Sequence, residues 1–296
     1  MNRRNFVQST GLAIPLTSIP SWMQALHFSA FDMKPIRRNV GYFTERGGTI
    51  GWLIQPQSRV IIDAQFPEQA GHLINELKKQ PDATLRYLIN THHHGDHTAG
   101  NIAFKGIANN VLAHENSKIN QLAAAQKNNN ESEQLYPDMT FTERWQEKID
   151  DEVIDMQYWG PGHTNGDSII HFHNANVVHC GDLVFNRRYP YIDSSAGARI
   201  DNWIEILQQL QTYFDNDTIY IFGHAAEGYK ITGGKEDLTA FADYLSALLE
   251  FVSSSLKEGK SHDEIMRAKE IPGAPQWKGD GIERSLTAAI QELEKN

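Results

Sequence analysis

Hydrophobic positions along the chain change period several times, and those changes delimit its elements. Residues 40–45, 50–54 and 60–62 are rich in β-branched and aromatic side chains, with Gly47-Gly48 as a hairpin turn between the first two. The period then lengthens: Ala70, Leu73, Ile74 and Leu77 recur at i, i+3, i+4, i+7, one apolar face of a helix, and Pro81 follows its end. Residues 85–89 return to strand character, as do 110–113, 153–158, 168–172, 177–179 and 218–222. Between and after these, Trp203, Leu207, Leu210 and Phe214 make one helical stripe. Leu238, Phe241, Leu245, Leu248 and Val252 make a longer one, a C-terminal helical segment. Both stripes read as faces packed on a core. The polar run 128–133 has no periodicity and reads as a surface loop. Strands and helices alternate without a linker, so residues 31–296 are expected to form a single α/β domain of layered sheet and helix.

The first 30 residues differ in character. Arg3 and Arg4 precede Phe6 and a modest apolar run over 11–19, no acid intervenes, and small residues follow at Ala25 and Ala30. Asn2-Arg3-Arg4-Asn5-Phe6 resembles a twin-arginine export signal, which implies a periplasmic or secreted destination for residues 31–296. No stretch reaches the roughly 20 consecutive apolar residues that cross a bilayer, so stable membrane insertion is not expected. The formal charge of −10 argues against sequence-independent nucleic-acid binding, which needs a basic surface. Cys180 is the one cysteine, so no disulfide can form within the chain. The pattern leaves the oligomeric state open.

Chemistry concentrates where strands end. The strand at 85–89 runs into Asn90-Thr91-His92-His93-His94-Gly95-Asp96-His97, and a helix is expected over 98–104. His92, His94, Asp96 and His97 thus fall on a strand-to-helix loop. A neutral imidazole offers a nitrogen lone pair and aspartate an anionic oxygen, a donor set that suits zinc and similar ions. Pro161-Gly162-His163-Thr164 forms a turn just before a strand, His179-Cys180-Gly181-Asp182 closes the next, and Phe222-Gly223-His224 closes another. Each adds one ligand-type side chain at a strand end, where all can reach one edge of a layered sheet.

In this order, H-x-H-x-D-H, Pro-Gly-His-Thr, Gly-Asp and Gly-His resemble the metallo-β-lactamase superfamily, over residues 40–224. The resemblance implies an αββα sandwich with metals at one edge. It implies that His92, His94 and His163 hold a first ion, that Asp96, His97 and His224 hold a second, and that Asp182 bridges the two. Zinc is the expected metal, two ions per chain, with iron or manganese also permitted by these ligand types. Two cations about 3.5–4 Å apart can share a water and lower its pKa toward neutrality, so the nucleophile is a hydroxide. Asp96 is the catalytic candidate, orienting that hydroxide and carrying its proton. No Gly-x-Ser-x-Gly elbow supplies a protein nucleophile instead.

The expected activity is hydrolysis of a small-molecule ester, lactone, amide or thioester. Three alternatives stand beside it: a β-lactamase, a mononuclear iron oxidoreductase resembling persulfide dioxygenases, and a non-catalytic metal-binding module. Asp182 occupies the place where lactamases of the family usually carry cysteine or serine, and Leu183, Val184 and Phe185 follow it without the lysine some of them use. Glyoxalase-type thioesterases share the aspartate, but their glycine/cysteine/arginine segment after it has no match here. The last motif reads Phe222-Gly223-His224-Ala225 where Pro-Gly-His-Gly is common.

Other polar residues read as structural. His93 is expected to point away from its neighbours, His171 and His173 share one face of a strand, and Cys180 is expected to be buried and inert. His114 closes a strand without an assigned role. Two loops are placed to shape a substrate pocket. The turn 44–49 overhangs the metals in relatives, and Arg187 and Arg188, in the segment 185–191, are candidates for engaging an anionic substrate.

Overall fold

The computed structural model describes residues 31–295, so the arginine pair and the rest of the expected export signal lie outside the described residues. Seven strands form the first sheet, adjacent in chain order: β1 (Asp32–Arg37), β2 (Val40–Thr44), β3 (Ile50–Ile54), β4 (Ser58–Ile62), β5 (Thr84–Ile89), β6 (Asn110–His114) and β7 (Met139–Phe141). β1 to β4 pair antiparallel, and β4 to β7 pair parallel. The second sheet is built from β8 (Arg144–Ile149), β9 (Glu152–Gln157), β10 (Ile169–Phe172), β11 (Val177–His179), β13 (Ile219–Ile221) and β15 (Thr232–Gly233). β12 (Phe185–Asn186) and β14 (His224–Ala225) make a short parallel pair. The helices are α1 (Pro67–Leu77), α2 (Gly95–Thr98), α3 (Glu115–Asn128), α4 (Ile200–Tyr213), α5 (Lys235–Lys257), α6 (His262–Ile265) and α7 (Ile282–Lys295).

Strand alternation sorts the apolar side chains into three cores. Val60 and Ile62 of β4 point into the space between the sheets, where they join Ile89, Leu112, Ile154, Met156, Ile170 and Val177. Ile61 points the other way, onto the Leu73, Ile74 and Leu77 face of α1. On the far side, Val178 and Tyr220 of the second sheet pack against Trp203, Leu207 and Leu210 of α4 and Phe241 and Leu245 of α5. Helix, sheet, sheet, helix is the αββα sandwich that the motifs imply. Because both faces of the inner strands are buried, they read as continuous apolar runs such as Val60-Ile61-Ile62.

Two helices were not anticipated. The face that α3 buries is Ser117, Gln121 and Ala125, spaced four apart but polar or small. α7 buries Ile282, Leu286, Ala289 and Ile290 at i, i+4, i+7, i+8, an apolar stripe that the sequence does show. The helix expected over 98–104 is corrected: the α-helix is Gly95–Thr98, and Ala99–Phe104 is a 3-10 helix. His94 is the extended residue that caps this first turn, so Asp96 and His97 sit inside it rather than on a loop. The loop expected over 128–133 is corrected: Asn128 ends α3, Asn129 takes the left-handed conformation, and Glu131–Glu133 form a 3-10 turn. Among the described residues no helix is long and apolar enough to cross a membrane.

Trp203 is fully buried, touches α5 through Phe241, and donates its indole N–H to Leu183 O at 3.0 Å, just beyond Asp182. Trp203→Ala is expected to cost about 3–5 kcal/mol, measured by denaturant unfolding. His171 and His173 stack at 4.3 Å, and burial, then His173, lowers the His171 pKa to about 4. The folded value is therefore below that of an unfolded histidine near 6.5, so this contribution to stability is intact above about pH 6.5 and falls as the pH drops toward 4. Urea midpoints at pH 7 and pH 5 should separate less in His171→Asn than in the parent chain.

Candidate metal centre

The seven side chains singled out by the motifs lie at one rim. His92 follows β5, α2 carries Asp96 and His97, and His163 sits in the turn between β9 and β10. Asp182 lies in a 3-10 turn after β11, and His224 begins β14 just beyond β13. Backbone hydrogen bonds lace these turns across the two sheets: Ser168 N to Thr91 O at 2.8 Å, Thr49 N to Gly223 O at 3.0 Å, and Gly223 N to Gly181 O at 2.7 Å. Two glycines are required by the closeness of the turns. A Cβ on Gly48 would lie 2.1 Å from the His97 ring, and one on Gly223 would lie 1.9 Å from Asp182 Oδ1.

His92, His94, His163 and Asp182 form one group whose donor atoms converge, and Asp96, His97 and His224 form a second. In the first group, His94 Nδ1 lies 3.0 Å from His92 Nε2 and 2.9 Å from His163 Nε2, and the last two are 3.3 Å apart. Their far nitrogens decide what these atoms are. His163 Nδ1 sits 2.6 Å from the Tyr191 carbonyl, which only accepts, so Nδ1 carries the hydrogen and Nε2 is bare. His94 Nε2 donates likewise to Asp193 at 2.9 Å, leaving Nδ1 bare. Thr91 gives its hydroxyl hydrogen to Asp63 and accepts from His92 Nδ1 at 3.0 Å, leaving His92 Nε2 bare. With all three rings neutral, three lone pairs thus face one another with no hydrogen between them. Burial, then neighbouring His97, holds His92 far below the ordinary imidazole range; burial, then His94, brings His163 to about 3. Both rings stay neutral. Nitrogens on one tetrahedral zinc, at about 2.0–2.1 Å from it, stand about 3.3 Å apart, so the spacing and the donor chemistry both fit a cation.

The second group is held by charge. His97 Nδ1 is anchored to Asp63 Oδ2 at 2.7 Å, which turns Nε2 toward Asp182 Oδ1 at 3.0 Å. Those two buried atoms have no hydrogen-bond partner, and His97 Nε2 also lies 3.9 Å from Asp96 Oδ2. His224 Nε2 lies 3.2 Å from Asp96 and 3.4 Å from Asp182. Burial disfavours charge on His97, but Asp182, Asp63 and Asp96 outweigh it and raise its pKa well above the ordinary value. For His224, burial is outweighed by Asp182 and Asp96. Asp182, in turn, is kept ionised despite burial by His224 and His97. This half of the rim attracts positive charge, whether borne by protons or by a metal ion.

Of the remaining histidines, His93 converges with His94 and Asp193 in a third group, while His114 and His179 are engaged elsewhere. His93 turns toward Asp193, 3.7 Å away, His114 caps α3, and His179 bonds the Thr49 carbonyl. Cys180 is buried, and burial pushes its thiol pKa up, so it is neither nucleophile nor ready ligand. Asp63 and Asp193 escaped the sequence reading. Asp63 follows an apolar strand at the same edge as the histidine cluster and takes a left-handed backbone, φ 64°, a signal visible only in hindsight. Asp193 has no local signature. Of the two arginines, Arg187 is engaged within the protein, bonding Asp237 at 2.7 Å, Asn186 at 2.8 Å and Gln276 at 2.9 Å.

The family model of the metallo-beta-lactamase superfamily matches residues 44–224. A hydroxyacylglutathione hydrolase from Pseudomonas fluorescens (strain SBW25) is 30% identical over 138 residues, 45% of this chain and 46% of that protein. The alignment thus spans about half the length of this curated relative. A metallo-beta-lactamase from Pontibacter korlensis superposes with a TM-score of 0.58 at 20% identity, over 73% of this chain and 99% of that one. The stereoselective inverting sec-alkylsulfatase Pisa1 from Pseudomonas sp. superposes with a TM-score of 0.70 at 13% identity, over 88% of this chain and 49% of that one. At such identities the superpositions speak to the fold alone.

Asp63 orients His97 directly and His92 through Thr91. Asp63→Asn is expected to weaken metal binding by about 10–100-fold, measured by competition with a chromogenic chelator. Gly48→Ala should lower the bound metal per chain, read by elemental analysis, because its methyl group and the His97 ring claim the same space.

Proposed function

Because the chain belongs to the metallo-beta-lactamase superfamily, we propose that it is a hydrolase holding two divalent cations at this rim, zinc by first choice, and that it cleaves a small thioester or ester. One observation carries the reading: the bare nitrogens of His92, His94 and His163 converge beside the unpartnered His97 Nε2 and Asp182 Oδ1. A pair of bound cations there supplies Lewis acidity and brings the ionisation of water near neutral pH. In this reading His92, His94 and His163 serve one ion, Asp96, His97 and His224 the other, and Asp182 both.

The chain's own groups then do the rest. Asp96 is the least buried of the carboxylates, its side chain 32% exposed, and lines the cavity over the site. Burial pushes its pKa up, but His97 and His224 outweigh that and bring it to about 2. It is therefore an acceptor across the physiological range, placed to take a proton from attacking water and pass it on. Phe185, stacked on His224 at 5.3 Å, and Tyr191, 5.2 Å from the His94 ring, flank the site with aromatic surface. The thioester preference is supported by the relative named hydroxyacylglutathione hydrolase. Lactones and amides present the same electrophilic carbonyl and remain within the proposed class. The Arg3-Arg4 pair ahead of an apolar run supports export of the enzyme in the same reading.

The test is elemental analysis of the purified protein followed by assay against a hydroxyacylglutathione, a lactone and an aryl ester. Turnover of at least one is expected, abolished by chelation and restored by zinc. Asp96→Asn, assayed at saturating zinc, should lower kcat by about 10²–10⁴-fold. A protein that takes up no zinc, or that hydrolyses none of the three when fully loaded, overturns the proposal.

A further inference from the structure

Beyond the metal rim, the cavity wall carries charge that hydrolysis itself does not need. A cavity of about 430 Å³ has Asp96, Asp182 and His224 on its floor, with Arg188, Asp280 and Arg284 among its other lining residues. Arg188 and Asp280 also line a second, larger groove of about 760 Å³, together with Tyr229 and Lys278, so the two spaces meet at these residues. Among the described residues Arg37, Arg38, Arg86, Arg144, Arg187 and Arg199 each pair with a carboxylate. Arg46, Arg59, Arg267, Arg188 and Arg284 do not, and of these only Arg188 and Arg284 line the cavity over the candidate metal groups. Among the described residues Arg188 makes no side-chain hydrogen bond or ion pair, and the Arg284 guanidinium lies only over the Tyr191 ring, 5.8 Å from its centre. Asp280, the one carboxylate of this cavity outside the candidate metal groups, forms no ion pair with either arginine.

The chain is shaped to put both cations there. Arg188 leaves the loop directly after β12, while Arg284 stands in the first turn of α7, nearly a hundred residues later. Gly281, at φ 113°, makes the bend into α7, and a Cβ there would lie 3.2 Å from the Arg284 guanidinium and 3.6 Å from Tyr189 Cβ. Arg187 fixes the same corner, bonding Gln276 and lying 5.4 Å over Trp277, which ties the segment before α7 to the β12 loop. In a chain with a formal charge of −10, two guanidinium groups without acidic partners at the mouth of a reaction cavity form a localised anion-attracting site.

We propose that the substrate is an ester or thioester bearing an oxyanionic group, a carboxylate in the simplest case, which docks on Arg188 and Arg284 while the scissile carbonyl reaches the metal rim. The remainder of the substrate occupies the larger groove beside Tyr229. A guanidinium matches a carboxylate with two parallel N–H donors, which fixes orientation as well as charge. The proposal rests on the hydrolase reading for its bond, and on the cavity for its anion.

Binding and turnover test the two separately. The zinc-loaded full chain is titrated calorimetrically with 5-(phenylthio)pentanoate and with its neutral partner 5-(phenylthio)pentanamide, neither of which has a thioester to cleave. The carboxylate is expected to bind about tenfold more tightly, and the advantage should fall to about twofold or less in the Arg188→Gln/Arg284→Gln double variant. The double lysine variant should keep part of it, and circular dichroism checks that each variant is folded. In parallel, the S-phenyl monothioester of glutaric acid and its terminal carboxamide are compared by kcat/KM, and the same ratio should collapse in the double variant. Equal affinity of the two thioethers for the parent chain, or a preference that survives both glutamine substitutions, overturns the anion site. An arginine-dependent preference in binding without turnover of either thioester supports the anion site and counts against the thioesterase reading alone.

Discussion

The imidazoles of His92, His94 and His163 have each committed their single N–H outward, to Thr91, to Asp193 and to the Tyr191 carbonyl, and so they present three lone pairs to one another at 2.9 to 3.3 Å. Lone pairs at that distance repel, and in a buried site no solvent screens them. Only a positive charge among them makes the arrangement favourable. The outward partners therefore matter as much as the ligands, because each selects the tautomer that leaves the inward nitrogen bare. Behind them Asp63 holds the Thr91 backbone, the Thr91 hydroxyl and His97 with its two oxygens.

The sandwich serves that constraint by bringing strand ends together. β5 delivers His92, β11 leads to Asp182, β13 leads to His224, and the turn before β10 carries His163. No one of these turns would hold its side chain in place alone. They are fixed by backbone bonds from one sheet's loops to the other's, such as Thr49 to Gly223, and by glycines whose missing side chains let backbone and ligand touch. Below the rim, the three apolar cores make the strands a rigid base, so that a ring need be oriented only by its last contact.

The C-terminal helices add a second layer of meaning to the site. α5 and α7 close the outer core, and the first turn of α7 also places Arg284 on the wall of the cavity that Arg188 lines. The adjacent Arg187 is spent on holding the segment before α7 in place. Neighbouring arginines thus divide into a structural one, satisfied by Asp237, Asn186 and Gln276, and one whose guanidinium forms no ion pair among the described residues and lines the cavity.

Apolar periodicity marked most of the elements of both sheets and the helices α1, α4 and α5, because strands buried on both faces and helices with one apolar stripe leave unmistakable patterns. The motifs named seven candidate ligands, since imidazole and carboxylate clusters beside strand ends are rare in chains that do not bind metal. Helix α3 stayed hidden because serine, glutamine and alanine fill its buried face and carry no periodic hydrophobic signal, whereas α7, with Ile282, Leu286 and Ile290 at helical spacing, was legible and went unread. Asp63, Asp193 and the sharing of one cavity wall by Arg188 and Arg284 were beyond local reading, for each brings together residues distant in the chain. Sequence by itself determined which atoms can bind a cation, because that follows from side-chain chemistry. Only the tertiary structure decided which nitrogen of each ring is bare and which arginine is free, because those depend on the partner that folding brings to the other side.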